Sequence, residues 1–284
     1  MSRAEEVIRT TERLISVDAA TGARAALPAA RAALRRMPRY GGGDADLTAA
    51  LAELYEVIGW ILFDAGRYGP ARHLNAHAYD LAQRSGDRWT GRLVLLNHSM
   101  LLAQLDRPRA ACATAARVRG PRPLPARVDS LVLVRQAHTA AMLHARRDAQ
   151  ALISRARGRF LDGGSRHDPA WAWWVDEPEL TGHHGWVLAR LGAYDKAIPL
   201  LHQAATAPGP SYRHLFTAKL LTALAGAGAW RDAEALIEAT AARAREIGSA
   251  RTTAELRRTA GQLRTGARVP AALRDAAAYL LETV

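Results

Sequence analysis

The sequence is poor in cysteine, in lysine and in long apolar runs. Its single cysteine, Cys112, excludes a disulfide framework and a zinc cluster built from cysteines. No apolar run reaches the roughly 18 residues that a membrane-spanning helix needs. The start of the chain is charged and lacks the apolar core of a signal peptide. We therefore expect a soluble, cytoplasmic protein without a membrane partner.

Lysine is rare although the chain is strongly basic. Only two of the 39 basic residues are lysines, Lys196 and Lys219, and 27 acidic residues leave a net charge of +12. The arginines are spread over most segments, and the densest run covers residues 31–39. This pattern, together with abundant alanine, is typical of coding bias in a GC-rich genome. The alternative is an attraction for acidic partners, either polyanions or an acidic peptide.

The apolar pattern is helical throughout. Alternating strand patterns are almost absent, and apolar residues recur at steps of three and four. Glycine and proline interrupt this pattern at residues 41–43, 119–123, 162–165, 208–210 and 248–249. Asp44, after the first of these breaks, is a candidate N-cap. We expect an all-α protein of about fourteen helices joined by short connections.

Several segments repeat. The clearest is GWVLARLGAYDKAIPLLHQA, in which Gly185, Gly192 and Ala197 have the spacing of a tetratricopeptide repeat, a helical hairpin of about 34 residues. Two further segments contain the corresponding small residues Gly59, Gly66, Ala71, Gly228 and Ala233. Glycine at the end of the first helix suits a turn that disfavours a Cβ atom, and a small residue seven positions earlier lets the two helices approach closely.

The repeat predicts the domain organisation. Two further hairpins around Ala111 and Ala149 fit less well, because Asp106 and His144 stand where glycine is expected. We expect one α-solenoid over residues 1–284, with capping helices in 1–40, stacked hairpins in 44–247 and capping helices in 249–284. The alternative is a helical bundle without repeats.

The segment HDPAWAWWVDEPELTGHHGWVLARLGAYDKAIPLL resembles a known family. It is similar to the C-terminal tetratricopeptide-like sensor domain of actinobacterial helix-turn-helix transcriptional regulators. The matching residues are Trp171, Glu179, Leu180, Gly182, His183, Gly185, Leu191, Gly192 and Ala197. The tail from Gly248 and the early Leu27-Pro28 helix also resemble that family. The resemblance implies a regulatory role and a possible homodimer.

The chain departs from that family at its start. The regulators begin with a DNA-binding helix-turn-helix domain, and we find no such pattern before Gly41. The chain is then a natural short form or a fragment, and we do not expect autonomous DNA binding.

The first helix of each hairpin should line the concave face of a solenoid. Counting back from the turns predicts a ligand-binding groove that is apolar and aromatic with a few polar anchors, as small-molecule sites usually are. The predicted groove residues are Trp60, Phe63, Met100, His138, Met142, Glu179, Trp186 and Arg190. Glu53, Glu56, Gln104 and Thr222 are predicted on the same side. The alternative is that the aromatic members only pack between repeats.

One row of ionisable residues could do more than bind. Asp176, Glu179 and His183 are spaced by three and four residues and should share a helix face, where Asp176 and His183 could anchor a ligand or act in acid–base chemistry. The H-E-x-x-H pattern of zinc hydrolases is absent, and we predict no metal. Nearby, Trp171, Trp173 and Trp174 cannot all face the core, so at least one should be exposed or line a cavity.

These features favour a non-enzymatic regulatory or sensor-type protein that binds a small molecule or a peptide in its groove. A phosphate-binding loop, a nucleophile elbow and a dinucleotide fingerprint are all absent from the sequence, and we expect no cofactor. Two alternatives stay open. One is a protein–protein adaptor for an acidic peptide, and the other is an enzyme that uses Glu179, His183 or His138.

Overall fold

A computed structural model describes residues 2–284. Over these residues the chain forms fourteen α-helices and three short 3-10 helices, and it contains no strand. The predictions of an all-α fold and of about fourteen helices are confirmed. No helix of the described residues is both long and apolar enough to cross a membrane.

The chain divides into two compact units, Met1–Val175 and Asp176–Val284, which are described separately below. The continuous array over the whole chain stays a prediction.

The first unit contains two N-terminal helices and three hairpins. Its helices are α1 (Arg3–Thr21), α2 (Ala23–Arg36), α3 (Ala45–Asp64), α4 (Tyr68–Ser85), α5 (Arg88–Gln104), α6 (Pro108–Ala116), α7 (Ala126–Met142) and α8 (Arg146–Leu161). The hairpins are α3–α4, α5–α6 and α7–α8, and the first helices α3, α5 and α7 contact one another in order. Both α1 and α2 pack on α3. An exposed loop and the 3-10 helix Ala170–Trp174 follow α8.

The second unit contains three further hairpins. Its helices are α9 (Glu177–Arg190), α10 (Tyr194–Thr206), α11 (His214–Ala227), α12 (Trp230–Ala242), α13 (Ala250–Thr265) and α14 (Ala271–Thr283). The first helices α9, α11 and α13 contact one another in order, as α3, α5 and α7 do in the first unit. Each unit is therefore built from stacked antiparallel hairpins, the arrangement of an α-solenoid.

Short polar side chains begin several of these helices. Asp44 caps α3 by accepting a hydrogen bond from the backbone N–H of Leu47 at 3.0 Å, which confirms the predicted N-cap. Ser249 caps α13 in the same way through the N–H of Thr252. The predicted breaks at residues 41–43, 119–123 and 208–210 all lie between helices.

Five of the six hairpin turns share one backbone conformation. Gly66, Gly192 and Gly228 have φ of 73°, 74° and 70° after the first helices of their hairpins. Asp106 and His144 occupy the same position in the α5–α6 and α7–α8 hairpins and have φ of 56° and 58°. The sequence had made these two hairpins look weaker, but their backbones form the same left-handed turn without glycine. These are the only described residues other than glycine with positive φ. The turn between α13 and α14 differs, because its Gly266 has φ of −70°.

The predicted close approach between paired helices is present. A Cβ atom added to Gly59 would lie 2.5 Å from Oδ1 of Asn75, and one added to Gly185 would lie 2.7 Å from Cγ of Leu201. The α5–α6 hairpin has a serine at this position, and Oγ of Ser99 donates to the carbonyl of Ala111 at 2.8 Å. A side chain is thus accepted here where it can bond to the backbone of the facing helix.

Alanine forms much of the contact between the helices of a hairpin. The five repeat alanines are fully buried; they are Ala71, Ala111, Ala149, Ala197 and Ala233. Larger side chains such as Leu51, Ile58 and Leu81 fill the core of the first unit, and Leu221, Ile237 and Leu256 fill that of the second. Small residues set the helix spacing and branched residues supply most of the apolar burial.

Candidate functional site

The predicted groove residues are divided between the two units. Trp60, Phe63, Met100, His138 and Met142 lie on α3, α5 and α7 of the first unit. Glu179, Trp186 and Arg190 lie on α9 of the second unit, together with His183. We call these two surfaces the α3–α5–α7 face and the α9–α11–α13 face, after the first helices that form them.

A buried histidine–glutamate pair lies on α9. His183 Nε2 is 3.2 Å from Oε1 of Glu179, one helical turn earlier, and both side chains are buried. The imidazole stacks on Trp186 with a centroid distance of 5.8 Å and meets the ring of Phe216 edge-on at 5.7 Å. The pair is therefore held in place by aromatic rings from α9 and α11.

Trp186 is the centre of this face. Its half-buried ring has Nζ of Lys219 at 4.3 Å from the centroid and the guanidinium of Arg190 at 5.8 Å. Both distances lie within the range in which a cation is attracted to the negative face of an aromatic ring. Trp186 thus connects the histidine–glutamate pair of α9 with Lys219 on α11.

Lys219 joins α11 to α13 through an ion pair. Its Nζ lies 2.9 Å from Oε1 of Glu255, and only 8% of the lysine is exposed. Thr222 Oγ1 lies 3.1 Å from the same carboxylate oxygen, and Arg258 also pairs with it. Glu255 therefore receives two cations and a hydroxyl, which is what a buried carboxylate requires.

The two partners respond oppositely to burial. Burial lowers the pKa of Lys219 to about 8, although the attraction of Glu255 opposes that shift. For Glu255, burial acts to raise the pKa, but Lys219 and Arg258 outweigh it and the pKa is lowered. Glu255 is accordingly ionised at neutral pH, and Lys219 is a protonated amine that burial makes easier to deprotonate than an ordinary lysine.

Asp176 has a structural role at the start of α9. Its Oδ1 accepts a hydrogen bond from the N–H of Glu179 at 3.0 Å, and its Oδ2 pairs with Arg213. Asp176 is thus the N-cap and does not continue the row of Glu179 and His183 along the helix. Among residues 2–284 no three His, Cys, Asp or Glu side chains converge on a possible metal position.

The α3–α5–α7 face carries its own aromatic pair. Trp60 Nε1 donates to Oδ2 of Asp18 on α1 at 3.1 Å, and its ring meets Phe63 edge-on at 5.8 Å. Phe63 is buried in the core of the first unit, and Trp60 and Met100 pack against that core with part of their surface exposed. His138 is buried on α7, and Met142 at its end is half-buried.

Glu56 is a buried carboxyl on this face, and its helix α3 contains no lysine or arginine. Glu56 is 2% exposed, and its Oε1 accepts a hydrogen bond from Nδ2 of Asn97 at 2.5 Å. Burial raises the pKa of Glu56 to about 7; Asn97 lowers it and Glu53 raises it further. Burial, with Asp87 and Glu12, also raises the pKa of Glu53. Glu56 therefore changes its charge near neutral pH.

A separate cavity lies beside the tryptophan-rich segment. It has a volume of about 340 Å³ and is lined by Arg127, Gly164, Ser165, Asp168, Pro169, Ala170, Ala172 and Trp173. Trp173 is 53% exposed, which confirms that at least one of the clustered tryptophans is exposed or lines a cavity. Trp171 instead turns inward and donates to the carbonyl of Trp89 at 3.2 Å.

Comparison with known proteins adds no relative to this picture. The chain matches no protein-family model and no curated protein. The contacts of the two faces are therefore the basis for inferring a function.

Sequence reasoning missed Lys219 and Glu255. Glu255 lies in the segment that was predicted to be a C-terminal cap, and no local motif links it to Lys219, 36 positions earlier. One signal was available: Lys219 is one of two lysines in a chain with 37 arginines. Lys196, the other, is exposed, so the residue type narrows the choice to two positions and only the structure shows that Lys219 is the buried one.

Proposed function

We propose that this protein is a non-enzymatic, regulatory or sensor-type repeat protein whose α9–α11–α13 face binds a small molecule or a peptide. The observation that carries the proposal is the half-buried ring of Trp186, with Lys219 and Arg190 over it. Aromatic surface with a few convergent polar groups, one of them a buried amine with a shifted pKa, is the usual composition of a binding site.

The charges around Trp186 favour a ligand that has a flat ring and an anionic group. Arg190 and Arg258 are exposed cations on α9 and α13, and the charge of Lys219 is matched by Glu255. A ring can stack on an aromatic side chain, while an anion is attracted by the exposed guanidinium groups. The regulatory part of the proposal is supported by the resemblance of residues 167–201 to sensor domains of transcriptional regulators.

The test uses naphthoate as the probe and its neutral amide, naphthamide, as the uncharged match. Binding is followed by tryptophan fluorescence and by the rise in melting temperature that a ligand of the native state produces. We expect naphthoate to bind more tightly than naphthamide. Trp186→Ala should weaken naphthoate binding by about tenfold or more, because it removes a ring worth roughly 1–2 kcal/mol.

Two variants serve as controls. Trp173→Ala removes an exposed tryptophan of the first unit, and Trp60→Ala removes the ring on the α3–α5–α7 face. Both should leave naphthoate affinity within about twofold of the original if the site belongs to the second unit. Unchanged affinity in Trp186→Ala would remove the proposed site, and equal affinity for the amide would remove the anionic part of the ligand.

A further inference from the structure

The net positive charge of the chain comes from one segment. Residues 65–160 contain 17 arginines and five aspartates, a net charge of +12, which equals the net charge of the whole chain. The other residues carry 22 basic and 22 acidic side chains. No glutamate occurs between Glu56 and Glu177. The arginines are scattered along the whole chain, but the excess of positive charge is not.

Within this segment the second helices of the hairpins carry eight of the 17 arginines. Helices α4, α6 and α8 of the first unit contain eight arginines and two aspartates. The second helices of the second unit, α10, α12 and α14, contain three basic and six acidic residues. Seven of the eight arginines are exposed: Arg72, Arg84, Arg109, Arg146, Arg147, Arg155 and Arg157. The connections add the exposed Arg67, Arg107, Arg117, Arg119 and Arg122. Two members of this set are paired with aspartates, Arg84 with Asp80 at 3.9 Å and Arg119 with Asp129 at 2.8 Å.

Coding bias does not account for this distribution. A bias that favours arginine over lysine changes which basic residue is used, but it does not remove acidic residues from three helices and keep them in three others. The second unit has the same preference for arginine and nevertheless has nearly balanced charge. The second helices of the first unit are basic, whereas those of the second unit are not. This difference points to an anionic partner that binds the first unit.

Contrary to the expectation from the sequence that the chain does not bind DNA by itself, we propose that the exposed faces of α4, α6 and α8 bind the phosphate backbone of duplex DNA without reading its sequence. Duplex DNA presents about one negative charge per 1.7 Å of axis, which suits a surface with many fixed cations on rigid helices. A helix-turn-helix domain is not needed, because phosphate contacts position a protein without base readout.

The surface suits other anionic partners less well. Single strands are held largely by stacking on exposed aromatic rings, and among the described residues no phenylalanine, tyrosine or tryptophan of α4, α6 or α8 is exposed. An anionic membrane surface is usually met by basic residues together with a continuous apolar face. The exposed large apolar side chains here are separate leucines, Leu161 at the end of α8 and Leu105 and Leu143 in the connections.

The test measures fluorescence anisotropy of a labelled duplex of about 30 base pairs between about 50 and 200 mM salt. We expect affinity to fall steeply with salt, with a slope of about −4 or steeper in a plot of log K against log salt. The variant changes Arg72, Arg109, Arg155 and Arg157 to glutamine. It should bind at least about tenfold more weakly and flatten the slope by about 3, since each lost phosphate contact contributes about 0.9.

A matched control removes the same charge from the second unit. It changes Arg231, Arg264, Arg268 and Arg274 to glutamine, all of them exposed. We expect its affinity to stay within about twofold of the original protein. Equal losses in both variants would show that net charge alone is responsible, and absence of duplex binding at low salt would also overturn the proposal. So would tighter binding to a single strand, to anionic vesicles or to polyglutamate than to the duplex.

Discussion

The two units each hold a glutamate of low exposure on a first helix, buried at Glu56 and partly exposed at Glu255, with opposite electrostatic results. In the first unit Glu56 is paired with an amide, Asn97, and its pKa is raised to about 7. In the second unit Glu255 is paired with Lys219 and Arg258, and its pKa is lowered. The same scaffold therefore holds a carboxyl that titrates near neutral pH and one that stays charged. The nature of the partner, more than the depth of burial, decides between the two.

The largest expected effect comes from removing the ammonium group of Lys219 in the second unit. Lys219→Met leaves Glu255 largely buried with Arg258 as its remaining cation, and breaking a buried pair in this way costs about 3–5 kcal/mol of unfolding free energy. Urea unfolding followed by tryptophan fluorescence measures this loss. Lys196→Met, at the exposed lysine, should stay within about 0.5 kcal/mol of the original protein.

A double variant separates lost charge pairing from lost packing. Lys219→Met combined with Glu255→Met should recover most of the loss, because an apolar pair of similar volume replaces a buried ion pair at little cost. If the single Lys219 variant were as stable as the original protein, the contrast between the two glutamates would not hold.

The second expected effect is a pH dependence that belongs to Glu56. A carboxyl whose pKa is raised on folding adds stability below its unfolded value of 4.5 and loses that contribution as pH rises through about 7. Glu56→Gln keeps an oxygen that can accept from Asn97 but cannot ionise. Between about pH 5 and pH 8 the original protein should therefore lose about 2–3 kcal/mol relative to this variant.

The measurement is urea unfolding at several pH values, compared between the two proteins so that other titrating groups cancel. Glu6→Gln, at an exposed glutamate on α1, is the control and should follow the original protein. Parallel pH curves for the original protein and Glu56→Gln would contradict the assignment of the titration to Glu56.

The smallest expected effect concerns the hairpin turns. Asp106 and His144 hold the left-handed conformation that glycine holds at Gly192. Because a Cβ atom costs about 1 kcal/mol or more there, His144→Gly should stabilise the first unit by about 0.5–1 kcal/mol, and Asp106→Gly by somewhat less, since aspartate tolerates this region better. Gly192→Ala should destabilise the second unit by about 1 kcal/mol. Thermal unfolding measures all three, and a loss of stability in His144→Gly would show that its side chain contributes more than its backbone strain costs.

These turns also show how far sequence predicts the fold. Gly66, Gly192 and Gly228 marked three turns directly, because glycine is favoured where φ is positive. Asp106 and His144 hid two equivalent turns, since packing of the flanking helices imposes a conformation that the local residue type does not favour. Helix boundaries at Asp44 and Ser249 were predictable because capping is a local interaction.

Fewer contacts of the candidate site than of the fold could be predicted from the sequence. Glu179, His183 and Trp186 were found because they lie within two turns of one helix and their contacts follow from helical spacing. Lys219 and Glu255 come from different hairpins, and their contact follows only from how α11 packs on α13. The raised pKa of Glu56 likewise requires its depth in the first unit and the position of Asn97, which no spacing rule supplies.

The ammonium of Lys219 has a consequence for which substitutions this position can accept. Lysine is rare in the chain, and the space between Trp186 and Glu255 holds one compact tetrahedral cation with three donors. A planar guanidinium with five donors would bring more hydrogen atoms than these neighbours can satisfy away from water. The geometry of this contact therefore favours lysine over arginine at position 219, in a chain whose other basic residues are almost all arginines.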